Sequence, residues 1–182
     1  YLKIGERAEQ KGDIEGAIAS YRGAAKGHPD YSEAHHRLAQ IYLDEKNDYD
    51  AAIREFENVL SLPENQQLIY KQYAIAFTNL GHAYYEKGNA SVQRDREGAA
   101  QSFAKAVQNL QNAKQNTRFF PTQHFDEAVH DTYFYLALSY HKLAQLTRKA
   151  SVMNSANHAW REEFDFFPKK LEGVAAFEQS RQ

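Results

Sequence analysis

Apolar residues along this chain recur at intervals of three and four, with no alternating run long enough to form a strand. The pattern predicts helices that come in pairs. Tyr1, Ile4, Gly5 and Ala8 share one face of a first helix, Gly12-Asp13 makes a turn, and Ala17, Tyr21 and Ala24 share a face of a second helix that stops at His28-Pro29. The next pair carries Leu38, Ala39 and Tyr42, a Lys46-Asn47-Asp48 turn, and then Ala52, Phe56 and Val59 before Pro63. A third pair, starting near Glu64, holds Phe77, Leu80, Gly81 and Tyr84 in its first helix and Ala99, Phe103 and Ala106 in its second. The polar stretch from Lys87 to Gln93 reads as the turn between them. Tyr133, Leu136, Ala137 and Tyr140 mark the last first helix, with Ala156 and Trp160 on its partner and Pro168 as the stop. The predicted hairpins cover about 1–30, 31–63, 64–120 and 122–168 in a single domain spanning 1–182. Leu171, Val174 and Ala175 give one apolar stripe to a terminal helix over about 169–182.

Gly5, Ala39, Gly81 and Ala137 hold the same place in each first helix. Antiparallel helices approach closely only where side chains are small, so each is expected to meet a small residue of its partner helix: Ala17, Ala52, Ala99 and Ala156 in turn. One hairpin cannot cover its own apolar face, so neighbours must stack. The period drifts from 34 residues to 42 and then 56. The longer third and fourth hairpins are expected to protrude and to make contacts particular to this protein.

These residues resemble the tetratricopeptide repeat family, whose unit is a helix-turn-helix of about 34 residues. Its pattern of aromatic, aliphatic, Gly/Ala and Tyr on the first helix, then Ala, aromatic, Ala and Pro, is met in large part four times. Departures fall at Ala8, His35, Val59 and Glu163, Pro63 comes one residue early, and the third repeat lacks the proline. The resemblance implies an all-α, right-handed superhelix of about four hairpins plus a C-terminal helix. It also implies a protein-binding module rather than an enzyme, with the first helices lining a concave groove. The groove positions would be Leu2 and Glu6, then His36, Gln40 and Leu43, then Thr78, His82 and Tyr85, and finally Phe134, Leu138 and His141. Such a surface suits an extended peptide or a helix with apolar anchors. The family's carboxylate-gripping subclass uses Lys, Asn and Arg at set places. Here those places hold Leu2, Glu6, Arg37, Ile75 and Asn79, and only Arg37 and Asn79 have suitable chemistry.

Charge narrows the classes further. A net charge of −2 and the lack of any Lys/Arg-rich run argue against nucleic acid. No apolar stretch approaches the ~18 residues of a membrane span. The chain has no cysteine, which excludes disulfides and thiolate chemistry and leaves the compartment open. Glu33-x-x-His36 and Glu127-x-x-His130 have a chelating spacing, but a stacked array keeps them one or more repeats apart, so neither a metal nor a cofactor is expected. Asn89-Ala90-Ser91 is a chance glycosylation triplet, and Phe119-Phe120 with Phe164, Phe166 and Phe167 read as wedges closing the long hairpins. Tyr1 falls at the fourth position of a first helix with no capping residue before it, which leads one to expect residues upstream. Two functions compete. One is an adaptor or assembly scaffold that holds a protein or peptide in its concave groove. The other is a structural subunit of an oligomer or membrane-associated complex, docking through the elongated third and fourth hairpins.

Overall fold

The computed structural model describes residues 1–28, 32–61, 69–117 and 127–166. Among these residues are eight helices and no strand. They are α1 (Leu2–Gln10), α2 (Ile14–Gly27), α3 (Ser32–Asp44), α4 (Tyr49–Ser61), α5 (Ile69–Ser91), α6 (Arg96–Thr117), α7 (Glu127–Thr147) and α8 (Ala150–Phe166). Consecutive helices pack as antiparallel pairs, and each second helix also packs on the first helix of the next pair. The fold is an all-α helical repeat. The expected terminal helix, Phe119-Phe120 and all four prolines lie outside the described residues.

Three of the four second helices start in the same way. The Asp13 carboxylate accepts a hydrogen bond from the Gly16 amide at 2.9 Å, Asp48 from Ala51 at 3.0 Å, and Asp95 from Gly98 at 2.8 Å. Each satisfies an amide that the first turn of a helix leaves without a partner. The residue before the first two aspartates reverses the chain in the left-handed region, Gly12 at φ +73° and Asn47 at φ +52°. The fourth hairpin turns through Arg148 at φ +54° instead and has Lys149 where the aspartate would stand.

The close approach within hairpins differs at Gly81 from the small-on-small pairing expected there, and both Gly5 and Gly81 lie against a large side chain. A Cβ on Gly5 would lie 2.4 Å from the Tyr21 ring, and one on Gly81 would lie 2.4 Å from Leu110. Both glycines are sockets for large side chains, and Gly81 is not the partner of Ala99. The reason is register. In an antiparallel pair, residues equally far from the turn face each other, and Gly81 lies too far from the turn for Ala99 to reach it. The two alanine pairs fare better. His35 bonds Glu55 at 2.7 Å and His36 meets Phe56 edge-on, which places Ala39 opposite Ala52. Phe134 meets Trp160, which places Ala137 within a residue of facing Ala156.

A second correction concerns the third turn. Residues 87–91 are helical, and the turn is confined to 92–95. Gly88, read as part of that turn, is another socket, where a Cβ would lie 2.8 Å from the Phe103 ring.

Repeat junctions use a recurring device. The motif tyrosine of each later hairpin bonds a polar side chain on the second helix before it. Arg22 donates to the Tyr42 hydroxyl at 2.5 Å, the Tyr84 hydroxyl donates to Glu57 at 3.0 Å, and Gln111 donates to the Tyr140 hydroxyl at 2.6 Å. The apolar floor beneath these bonds is Leu38, Leu80 and Leu136, all nearly inaccessible.

Two predictions follow from the packing and the caps. Alanine gains roughly 1 kcal/mol over glycine inside a helix, whereas overpacking a core costs about 1–3 kcal/mol. Gly81→Ala, which drives a methyl into Leu110, lowers the denaturation midpoint; Gly27→Ala, where nothing lies within 4 Å, leaves it unchanged or raises it. Asp48→Ala costs about 1 kcal/mol in chemical denaturation through loss of the α4 cap.

Candidate functional site

The first helices touch one another across repeats, α3 with α5 and α5 with α7, whereas successive second helices meet at most marginally apart from a Lys114–Glu162 ion pair. The stack is therefore tightest on the first-helix side, where the groove is expected. The proposed groove residues divide there into two sets.

Leu43, Thr78 and Tyr85 are buried. Thr78 donates to the Ala74 carbonyl or bonds the equally buried Thr132 hydroxyl at 2.6 Å, tying α5 to α7. Tyr85 packs between Phe103 and Tyr135. These three hold the first helices together and present little surface. His36, half-buried, faces its own hairpin partner Phe56. Burial pushes its imidazole below the ordinary histidine range, a shift that Glu33 opposes and Arg37 reinforces.

Gln40, His82, Phe134, Leu138 and His141 are partly exposed. His82 stacks on Tyr135 at 4.0 Å between ring centres and lies 3.6 Å from Glu86. Phe134 stacks on His130 and meets Tyr135 and Trp160 edge-on. His141 bonds Gln145 at 2.9 Å. Through Tyr135, His82 and Phe134 form an aromatic patch across α5 and α7, while Leu138 packs against the hydrophobic core.

Sequence reasoning missed the carboxylates around this patch. The contact with His82 holds the Glu86 carboxyl below its ordinary range, against the effect of burial and with help from Lys142. The Tyr135 phenol is pushed up to about 12, first by burial and then by Glu86, Asp131, Tyr85 and Asp44. Asp44, at the end of α3, loses enough water to raise its carboxyl, an effect that His82 counters. The patch is thus aromatic with an acidic margin. Its acids belong to three helices, so no local spacing in the chain joins them.

A second concavity of about 330 Å³ opens between α6, α7 and α8, lined by Gln111, Lys114, Tyr140, His158 and Glu162 among others. Lys114 donates to both Glu162 oxygens at 2.6 Å across it. No group of three or more His, Asp or Glu is placed to hold a metal ion among the described residues. Glu33 is committed to Arg37 at 2.9 Å, and Arg37 is the one strong cation of the carboxylate-gripping positions. No described helix is long and apolar enough to cross a membrane.

Residues 3–59 match the family model described as Tetratricopeptide repeat protein 21 ARM repeat. The first two hairpins are thus similar to repeats of the tetratricopeptide type, and repeats of this type are generally non-enzymatic scaffolds for protein interaction. No curated protein sequence matches the chain. Two crystal structures of MamA are similar over 94% of this chain, each at 18% identity and TM-score 0.39, with 92% and 99% of the MamA chains covered. A likeness at that level carries no argument about function.

The acid response of His36 is testable. Its folded-state pKa is depressed, so the unfolded chain binds the proton more readily and stability falls as pH drops below about 6.5. The thermal midpoint of His36→Gln changes less between pH 7.5 and pH 5.5 than that of the unsubstituted protein.

Proposed function

We propose that the chain is a non-catalytic adaptor that holds a protein segment along its first-helix face, over the patch of His82, Tyr135, Phe134, Leu138 and His141. One observation carries the reading: partly exposed aromatic and imidazole rings from two different repeats lie together, rimmed by Asp44, Glu86 and Asp131. Aromatic side chains supply most of the energy in protein recognition, and the acidic rim selects among partners by charge. The matching partner is an extended segment or helix with an apolar or aromatic anchor beside a lysine or arginine, whose cation would rest near Tyr135 and Glu86. Gln40 extends the same face toward the second hairpin.

The proposed site makes no demand on Leu43, Thr78 or Tyr85, which serve as its support. Substituting Tyr85 would therefore confuse lost packing with lost binding, because truncating a buried aromatic costs about 3–5 kcal/mol.

The test uses surface residues. Peptide-array or pull-down capture of basic-aromatic segments by the chain falls at least about tenfold with His82→Ala plus Leu138→Asp. Glu97→Gln on the exposed start of α6 leaves capture unchanged. Capture that survives the double substitution moves the interface to the elongated hairpins α5–α8 and favours the structural-subunit reading.

A further inference from the structure

The aromatic patch across α5 and α7 holds a titratable group of its own where a partner's cation would rest. His82 lies nearly flat on Tyr135, with 4.0 Å between ring centres and 23° between ring planes, and its Nε2 is 3.6 Å from a Glu86 oxygen. Histidine is the side chain that ordinarily changes charge between pH 5 and 8. Neutral, the imidazole is one more ring of the patch, and an incoming cation can displace it. Protonated, it is itself a cation on the face of Tyr135 and beside Glu86, the two acceptors that a lysine or arginine would use.

The surroundings decide what that charge does. On its own helix His82 faces Glu86, and at the end of α3 it acts on Asp44, which also feels Glu45. From α7 come Tyr135 itself, Asp131 acting on Tyr135, and Lys142 acting on Glu86. His82 is the first cause of the lowered Glu86 carboxyl and counters the raised one of Asp44, so both acids respond to it. Carboxylates outnumber cations around the ring, and a proton on His82 cancels part of the field that draws a basic segment in. Both side chains of the His82–Glu86 pair are partly exposed, so solvent and ligand reach them. His130 also touches the patch, stacking on Phe134 and lying 3.3 Å from Asp131, but it is buried.

We infer that His82 makes this site acid-releasing: its protonated ring competes with a partner's lysine or arginine for Tyr135 and Glu86, so a basic segment is held near neutral pH and let go in acid. The inference rests on the adaptor reading above and adds to it the condition for release.

The probe is a labelled peptide with one tryptophan beside one arginine, followed by fluorescence anisotropy with the whole chain at pH 7.5 and pH 5.5. Affinity falls about fivefold or more between the two, and His82→Gln removes the fall. Replacing the peptide's arginine by citrulline, its neutral isostere, removes it as well. Asp44→Asn keeps the fall, and so does His158→Gln, which lies on α8 beside Glu162 and outside the patch. Acid unfolding would weaken every variant alike, so a level affinity in His82→Gln excludes it. Equal affinity of the unsubstituted chain at the two pH values overturns the inference and leaves the adaptor reading standing. So does a fall that survives His82→Gln, or one that Asp44→Asn abolishes. Absence of saturable binding at both pH values overturns the two together.

Discussion

Everything in this structure depends on how closely two helices of a hairpin can approach, and that distance is set by sockets. Gly5 receives Tyr21, Gly81 receives Leu110 and Gly88 receives Phe103. Tyr21, Phe103 and Leu110 are fully buried as a result. The hydrophobic return on a buried large side chain is about 1.5–3 kcal/mol, more than the roughly 1 kcal/mol a helical glycine concedes to alanine. The same insertions space the first helices so that α3, α5 and α7 lie side by side. The Thr78–Thr132 bond and the His82–Tyr135 stack become possible only at that spacing.

The helical pairs were legible because a 3.6-residue period is a property of each helix alone. The partners of the small residues were legible only in part. Ala39 and Ala52 lie nearly equally far from their turn, so spacing in the chain and register in space agree. Gly81 and Ala99 do not, because α5 continues helical to Ser91. The stretch from Lys87 to Gln93 imitates a loop in composition, since the last turn of an exposed helix and a turn are both polar. The aspartate caps at Asp13, Asp48 and Asp95 were readable as a repeat of their own, three residues before a small residue each time.

The candidate site was less legible for a different reason. A position beside the motif points toward the neighbouring first helix, and whether it is covered depends on how that neighbour is placed. Thr78 is sealed by Thr132, while His82, one turn further along α5, emerges against Tyr135. Tyr135 itself was not among the expected groove residues, yet it contacts His82, Tyr85 and Phe134. The signal that could have found it is the Tyr133-Phe134-Tyr135 run, which places rings on three sides of α7 so that at least one must face the groove.

The drift in repeat length has a structural logic. From the small position to the end of the first helix, α1 and α3 run five residues, while α5 and α7 run ten. Five added residues lengthen a helix by about 7.5 Å on the turn side. Two antiparallel helices cannot stay in close contact over that extra length through one socket, because the next large side chain on the partner would collide. The longer hairpins each supply a second small residue, seven positions after the first: Gly88 in α5, filled by Phe103, and Ala144 in α7, which is 1% exposed. Seven residues is nearly two helical turns, so the second socket returns to the same face. Elongation is thus built into the packing of the hairpins, with a second small residue on the same helix face accommodating the added length.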